Sequence, residues 1–250
     1  MKVLVIDTAL GACTVGVFED DRPLAVRSQS MVKGHSERIG GFVRDVVAEA
    51  GEALGGFEGL DRIGVTVGPG SFTGLRVGLA FAQGLGAALD VPVVGVSTLA
   101  ALARSKQDEQ TTAVGIAVAI DARRGQVYVQ TFCDGASNSL PQALSIEAAC
   151  DTLTSPGGWL WAFAGSGSPL LVETFARRAP IMPYSPEELD QLAQGVWPGL
   201  IVNPTAHALA ALTIAADPAD NPPSPLYLRA PDATPPTRLP GQARPPRPQP

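Results

Sequence analysis

The stretch RIGVTVGPGSFTGLRVGLAFAQGLGAAL, residues 62–89, decides the fold. Its apolar run at residues 62–67 predicts a strand, a glycine-rich loop follows at residues 68–74, and residues 75–89 predict a helix. A strand that leads through a short loop into a helix is typical of domains in which helices cover the faces of a sheet. The stretch therefore predicts an α/β fold.

The sequence around this stretch alternates in the same way. Three strands are predicted before it, at residues 3–6, 14–18 and 23–30. Apolar residues from Ile39 to Leu54 then recur at helical spacing, and Ser36 is placed to cap this amphipathic helix. After the stretch come a strand at residues 93–96 and a helix that Ser97 caps and that runs through Ala103. The order βββαβαβα predicts a mixed sheet with helices on its faces.

A polar connector at residues 105–112 separates this pattern from a second half. There the sequence predicts strands at 113–120, 126–132 and 159–164, short helices at 169–177 and 186–194, and a last helix from the Asn203-Pro204 pair to Ala216. We predict a first domain at residues 1–106, completed by the C-terminal helix at about 203–229, and a second domain at 107–202.

The C-terminal segment differs in composition from the rest of the chain. Twelve of the 23 prolines lie from Pro218 onward, and residues 229–250 carry four arginines against the single acid Asp232. A Pro-rich, basic segment without aromatic residues cannot bury enough surface to offset its ordering entropy. We predict that residues 230–250 form a disordered tail that folding does not need.

The composition excludes several functional classes. A net charge of −6, a pI near 4.9 and 6% aromatic residues do not fit a protein that binds nucleic acid strongly by itself, although RNA contact within a complex stays open. The three cysteines are far apart and form no CxxC pair, so neither a disulfide framework nor a thiolate zinc site is expected. The apolar start is too short for a signal peptide, and residues 77–103 are a poor membrane span. A cytoplasmic location is expected.

The glycine-rich loop and the end of the first strand are a candidate anion or nucleotide site. Its residues would be Asp7, Thr8, Gly70, Ser71 and Thr73, because a loop that precedes a helix can present backbone amides to a phosphate. The loop lacks the lysine and spacing of a Walker motif and the glycines of a hydrolase elbow. The favoured alternative is structural: a tight turn capped by Thr73, with Asp7 in an Asx turn.

Small residues recur every four positions on the predicted second helix, at Gly74, Gly78, Ala82 and Gly86. Glycine inside a helix costs about 0.5–1 kcal/mol relative to alanine, so the presence of several glycines on one face needs a structural explanation. Small residues let another backbone approach closely. That backbone belongs either to the protein's own sheet or to a second chain, and the sequence leaves both open.

Histidine is scarce, which limits the chemistry available. His35 has Ile39 four residues on, where a metal-binding helix face would need a second histidine. A Ser71–His35–Asp triad has no local support, and His207 is expected at the surface. The sequence therefore predicts no catalytic residue and no metal site.

Several motifs together resemble one family, the TsaB family, the dimerisation subunit of the bacterial machinery that makes threonylcarbamoyladenosine in tRNA. The motifs are VIDTA at 5–9, CTV at 13–15, GPGSFTGLR at 68–76, AQGL at 82–85, GVSTL at 95–99, IDARRG at 120–125 and PLYLR at 225–229. The resemblance extends to about Gly241 and is weak at residues 134–200. At Gln126 the family commonly has Glu.

The resemblance implies an actin-like, sugar-kinase-like fold of two domains, with the C-terminal helix returning to the first. The catalytic paralogue, TsaD, binds metal through an H-x-x-x-H helix, and the corresponding pair here would be His35 and Ile39. A degenerate, non-catalytic scaffold is thus implied, and the first-domain helices would supply its partner interface. The candidate interface residues are Gly74, Leu75, Gly78, Ala82, Gly86, Phe42 and Val46.

The implied partners are a TsaD-like catalytic subunit, a TsaE-like ATPase and, for the isolated chain, a second copy. Contact with tRNA would occur only through the complex, and no membrane is involved. No cofactor is expected, with ATP or ADP at a subunit interface left open. The alternatives are a stand-alone metallopeptidase or phosphotransferase of the same superfamily, and a nucleotide-binding module without chemistry.

Overall fold

The computed structural model describes residues 1–109, 115–154, 161–178 and 200–229. Its first sheet has five strands, in the order β3-β2-β1-β4-β5. Their bounds are β1 Lys2–Asp7, β2 Ala12–Glu19, β3 Arg22–Ser30, β4 Arg62–Gly68 and β5 Val93–Ser97. β1, β2 and β3 pair antiparallel, whereas β4 and β5 join β1 in parallel. The predicted mixed sheet is confirmed.

The second sheet is built from the second half of the chain. Its strands are β6 Gly115–Arg123, β7 Gln126–Cys133, β8 Ala136–Ser137, β9 Gln142–Ser145 and β10 Trp161–Ala164. The order is β10-β6-β7-β8, and β9 also pairs with β7. β10 lies parallel to β6, and a tight hairpin joins β6 to β7. The sequence did not predict β8 and β9, whose short polar strands lack a clear alternation.

Six helices pack against these sheets in the described part of the chain. Their bounds are α1 His35–Leu54, α2 Phe72–Leu89, α3 Thr98–Asp108, α4 Ile146–Leu153, α5 Ser168–Arg178 and α6 Ala206–Ala215. α1 contains a kink at Gly51, and a short 3-10 helix, Phe57–Gly59, follows it. The sequence did not predict α4.

The elements form alternating layers around four apolar clusters. α1 and α2 cover one face of the first sheet, where Ile39 and Leu79 pack on Ile6. α6 and α3 cover its other face, and α3 also packs on β6 of the second sheet. α4 and α5 cover the far side of the second sheet. α3 is thus the shared layer between the two sheets.

The predicted α/β class is confirmed: two mixed sheets with flanking helices make up the described part of the chain. The domain limits stay a prediction. The helix expected at 186–194, residues 110–112 of the connector and the tail at 230–250 lie outside the described residues, whereas residues 105–108 of the connector continue α3.

The small-residue face of α2 packs against the chain's own sheet. A Cβ at Gly74 would collide with the Thr8 carbonyl oxygen, one at Gly78 with the Thr8 hydroxyl, and one at Gly86 with Val93. The first of the two alternatives is therefore correct, and an interface with a second chain at these residues is wrong.

α2 is also the one described helix long and apolar enough to cross a membrane, a test that a sheet-packed core helix passes too.

Three predicted helix starts need correction. α1 begins at His35 after Gly34, whose left-handed backbone turns the chain, so Ser36 is inside the helix and does not cap it. Ser71, not Thr73, caps α2, and its Oγ accepts from the Gly74 amide. The Ser97 cap of α3 is confirmed, and α3 runs on to Asp108 because Ser105 stays helical and bonds to the Ala101 carbonyl.

The last helix begins later than its Asn-Pro signal suggested. Thr205 caps α6 by accepting from the Ala208 amide. Asn203 instead accepts from the Gly11 amide at 3.0 Å, and so connects this segment to the β1–β2 turn. α6 ends at Ala215, and Arg62 donates to the carbonyl oxygens of Thr213 and Ala216 at that end.

The chain after α6 forms a strap across both sheets. The Leu226 amide donates to the Val67 carbonyl at 2.7 Å, and Leu226 packs on the core under α1 and α2. Leu228 packs with the cluster between α3 and β6, and Arg229 donates to the Ala122 carbonyl on β6. The PLYLR motif is therefore the segment that connects the two sheets.

Two identical substitutions on α2 should have opposite effects on stability. Gly74→Ala places a methyl group against the Thr8 backbone and should lower the free energy of unfolding by about 1–3 kcal/mol, a typical cost of overpacking. Gly84→Ala, whose Cβ would meet no heavy atom within 4 Å, should raise it by about 0.5–1 kcal/mol through helix propensity. Denaturant unfolding followed by circular dichroism measures both. Equal effects of the two substitutions would contradict the assigned orientation of α2.

Candidate functional site

A cleft of about 730 Å³ opens where the carboxyl ends of β1 and β4 face the β6–β7 hairpin. The β1–β2 turn and the loop before α2 form one wall, and the hairpin and the turn after β10 form the other. The polar residues that line it are Ser30, Ser71, Asp121, Arg123, Tyr128, Ser166 and Asn203. Ligands of α/β proteins usually bind beyond the carboxyl ends of strands, so this cleft is the candidate functional site.

Asp7, the acid of the predicted anion site, is fully buried at the end of β1. Its Oδ1 accepts from the Ala9 amide at 2.9 Å and from the Thr66 hydroxyl at 2.8 Å. Burial raises the pKa of the carboxyl above its ordinary value near 3.8, and the two hydrogen bonds and the charge of His35 oppose that effect. Asp7 is absent from the cleft lining. The structural alternative, an Asx turn, describes this residue.

The other candidate anion-loop residues are also used by the fold. The buried Thr8 hydroxyl donates to the Gly74 carbonyl at 2.8 Å. The Ser71 amide donates to the Ala9 carbonyl at 2.7 Å, while its hydroxyl caps α2. Gly70 and Ser71 line the cleft, whereas Thr73 is exposed on α2. Anion binding by this loop stays a prediction, and Thr8 cannot contribute to it without losing its bond to α2.

The histidines do not assemble a catalytic or metal site. His35 is buried at the start of α1, and its Nε2 has no hydrogen-bond partner in the described part of the chain. Ile39 lies in the core beneath the first sheet, so the position of a second ligand is apolar. Within the described ranges, no three His, Cys, Asp or Glu side chains group as metal ligands, and no hydrogen bond joins Ser71 to His35. His207 is exposed and bonds to Asp108 at 3.3 Å.

The candidate interface residues lie inside the chain. Leu75, Ala82 and Val46 are at most 1% exposed, and Gly74, Gly78 and Gly86 are buried against β1, β4 and β5. Phe42 is half-buried against the same core. An interface at the buried residues does not fit this packing, because helical periodicity locates a face but does not say which side the sheet occupies; an interface at Phe42 stays a prediction. The exposed residues of α2 include Thr73, Ala80 and Gly84.

The β6–β7 hairpin contributes residues that the sequence did not single out as a site. Asp121 accepts from the Arg123 amide at 2.7 Å, and its carboxylate lies 3.4 Å from the Arg123 guanidinium. Arg123 and Arg124 both have left-handed backbones, with φ of 64° and 55°. Such a conformation costs a non-glycine residue about 1–2 kcal/mol. The sequence feature that could have pointed to this hairpin is the IDARRG motif at residues 120–125. Gln126 follows it at the start of β7, paired with Arg123, and nothing in the structure explains the change from Glu.

A second feature that the sequence did not predict is an exposed cluster at the start of α2. The Arg76 guanidinium lies 3.9 Å above the Phe72 ring centroid, and Arg76 Nε donates to the Tyr227 hydroxyl at 3.3 Å. The two rings are 5.6 Å apart. Phe72 is 50% exposed and Tyr227 44% exposed. The residues are 151 positions apart in sequence, so only the strap brings them together.

The cysteines are not arranged for nucleophilic chemistry. Burial raises the pKa of the Cys13 and Cys150 thiols to about 11 each. Burial and the neighbouring Asp134 raise that of Cys133 as well. A thiol is nucleophilic as its thiolate, which these environments disfavour.

Comparison with known proteins finds related sequences. A family profile described as "TsaD: tRNA N6-adenosine threonylcarbamoyltransferase" matches residues 27–157. A protein of Escherichia coli K12 described as "tRNA threonylcarbamoyladenosine biosynthesis protein TsaB" is 37% identical over 128 residues, which are 51% of this chain and 53% of that protein. This chain thus spans about half the length of that curated relative. An uncharacterized protein of Mycobacterium tuberculosis H37Rv is 34% identical over 93% of this chain and 94% of its own length.

Solved structures show the same architecture. "YeaZ from Pseudomonas aeruginosa" superposes with a TM-score of 0.65 at 27% identity, over 91% of this chain and 99% of that one. A second Pseudomonas aeruginosa structure, described as an uncharacterized protein with similarity to peptidase YEAZ, gives a TM-score of 0.68 at 27% identity and the same coverage.

Asp7→Asn should reveal the buried carboxyl through the pH dependence of stability. Because the folded state raises the pKa of Asp7, its contribution to stability is complete below about 3.8 and is lost as pH rises through the folded value. Asparagine keeps an oxygen acceptor and does not titrate. The free energy of unfolding of the variant minus that of the original protein should therefore increase from about pH 4 to about pH 7. Denaturant unfolding at both pH values checks this, and a difference that stays constant or moves the other way would contradict it.

Proposed function

The chain belongs to the TsaB family, and from this premise we propose that it is a subunit of the machinery that makes threonylcarbamoyladenosine in tRNA. In this proposal it does not catalyse threonylcarbamoyl transfer to the adenosine next to the anticodon. It supports the reaction by binding a TsaD-like catalytic subunit and a TsaE-like ATPase in the cytoplasm, and it pairs with a second copy when alone.

One observation carries the non-catalytic part of this proposal: Asp7 Oδ1 and the hydroxyls of Thr8 and Ser71 are bonded internally, while Asp7 Oδ2 is buried without a hydrogen-bond partner among the described residues. Asp7, Thr8 and Ser71 form hydrogen bonds to Ala9, Thr66 and Gly74, which hold the β1–β2 turn against α2. A catalytic group must be able to reach a substrate. These side chains instead maintain the fold. We propose that the isolated chain uses no cofactor, and that nucleotide in the assembly lies at an interface between subunits.

The metallopeptidase alternative receives no support from the described residues. It would need a set of ligands, and no group of three His, Cys, Asp or Glu side chains lies together within the described ranges. His35 has only the buried Ile39 as its neighbour one turn on. The word "peptidase" belongs to the description of a structural relative and not to a site in this chain.

We place the partner surface on the outer side of α1 and α2. Thr73, Ala80 and Gly84 recur at helical spacing on α2 and are exposed, and Gly40 of α1 lies next to Phe81 of α2. A Cβ at Gly84 would meet no heavy atom within 4 Å, so another backbone has room to approach there. The surface is opposite to the face that packs on the sheet. It therefore remains available while the fold is intact.

Ala80→Glu should break partner binding without unfolding the chain. A buried, unpaired carboxylate at a close helix contact is strongly unfavourable, whereas the same side chain is tolerated in water. We expect the variant to elute as a monomer, to lose co-purification with the catalytic subunit, and to leave threonylcarbamoyladenosine in cellular tRNA low in a strain that lacks the native protein. Chromatography, pull-down and nucleoside mass spectrometry measure these three results.

Ala136→Glu is the matched control, because Ala136 is exposed on β8 of the second sheet. It introduces the same charge on a different surface and should behave like the original protein in all three measurements. Normal dimerisation and co-purification of Ala80→Glu would show that the surface is misplaced. Normal tRNA modification in a strain without the protein would contradict the proposed function itself.

A further inference from the structure

The cluster of Phe72, Arg76 and Tyr227 leaves half of Phe72 and 44% of Tyr227 exposed, although aromatic side chains usually bury most of their surface. Arg76 is fixed between the two rings, stacked on one and bonded to the hydroxyl of the other. Among the described residues, no carboxylate lies within 4.0 Å of its guanidinium. Most other exposed arginines are paired with acids, for example Arg22 with Glu19 and Arg104 with Asp108. Arg76 is thus a preorganised cation whose charge no acid neutralises.

Two further arginines are connected to this cluster through the strap, and one of them, Arg123, lines the cleft. Arg229 follows Tyr227 by two residues, a distance of at most about 7 Å along the chain. Its guanidinium donates to the Ala122 carbonyl, next to Arg123, whose side chain is 87% exposed and lies 3.4 Å from the Asp121 carboxylate. We call Phe72, Arg76, Arg123, Tyr227 and Arg229 the arginine–aromatic face. On a chain of net charge −6, this face concentrates cations and exposed rings.

The sequence beyond the face has the same charge. Residues 230–250 follow Arg229 directly and contain three arginines, Arg238, Arg244 and Arg247, against Asp232. Guanidinium groups bind phosphate oxygens with two parallel hydrogen bonds, and exposed rings stack on unpaired bases. A base-paired helix would offer phosphates but no free base faces. The combination selects single-stranded RNA over a duplex.

We propose that the arginine–aromatic face binds an unpaired RNA segment, with a base stacked on the exposed ring surface of Tyr227 and Phe72 and phosphates on Arg76, Arg123 and Arg229. The inference rests on the proposed function only for the identity of that RNA as a tRNA loop. It assigns this chain a direct contact with RNA, where the sequence suggested contact only through the other subunits. The contact is local, so it agrees with the acidic charge of the whole chain.

Fluorescence anisotropy of the full chain tests this with two labelled probes, an RNA hairpin with an unpaired loop and a blunt RNA duplex of equal length. The hairpin should bind more tightly than the duplex at low salt. Tyr227→Leu should weaken hairpin binding by roughly tenfold, the effect of one lost base stack. Tyr227→Phe keeps the ring and loses only the hydroxyl that accepts from Arg76, so it should bind within about twofold of the original protein.

The arginines are tested by the salt dependence of binding. Replacing Arg76 and Arg123 together with Gln should reduce the slope of log affinity against log salt by about 1.4, since each phosphate contact on single strands contributes about 0.7. Arg22→Gln with Arg44→Gln is the control, because both are exposed and lie elsewhere on the surface. Circular dichroism melting of each variant confirms that it is folded.

Three results would overturn the proposal: equal binding of hairpin and duplex, an equal loss of affinity in the control pair, or unchanged hairpin binding by Tyr227→Leu. In the last case, loss of co-purification of Tyr227→Leu with the catalytic subunit would show that the face binds protein instead. Failure of the proposed function is a separate result, because it is read from tRNA modification in a strain that lacks the protein and needs no variant of this face.

Discussion

The close approach of α2 to β1 determines where the other functional elements lie. The Thr8 hydroxyl, at the end of β1, donates to the Gly74 carbonyl in the first turn of α2, and the side of the helix that faces Thr8 carries glycine at positions 74 and 78. A β-carbon at either position would push the helix off the sheet. Because α2 lies close to the first sheet, its first turn is beside the cleft and its opposite side is exposed to solvent. One steric constraint thus positions the cleft wall and the proposed partner surface together.

The same constraint explains how a loop typical of a ligand site serves as structure. Turn residues with free hydroxyls and a carboxylate could coordinate a phosphate or a cation, but each hydrogen bond made within the protein would have to be broken first. A buried polar group left without its partner costs about 1–3 kcal/mol. With Asp7 Oδ1, Thr8 and Ser71 bonded in this way, ligand binding through these atoms would compete with contacts that hold the fold, whereas the buried Asp7 Oδ2 has no partner among the described residues. In this chain the loop acts as a structural connection between α2 and the first sheet.

The sequence was most informative where a local rule applied. The strands of the first sheet, the Ser97 cap and the Asx turn at Asp7 could be predicted because periodicity and turn chemistry act over a few residues. The direction of the glycine face could not be predicted, since a period of four says only that the small residues share a side. The Phe72–Arg76–Tyr227 cluster joins residues 151 positions apart. Such a contact follows from the path of the strap, which no local pattern encodes.

The strap and α6 also have a consequence for how this protein is made. β1 is among the first residues that the ribosome delivers, yet the helix that covers Val3 and Val5 begins only at Ala206. During synthesis the first sheet therefore has one apolar face without its cover until α6 is made, and the strap that connects it to the second sheet follows α6. Contacts between the two ends of a chain slow folding, because a long loop must close before they form. The nascent protein thus depends on residues beyond 205 to bury its first strand, and a ribosome that stalls before residue 229 leaves an incomplete core.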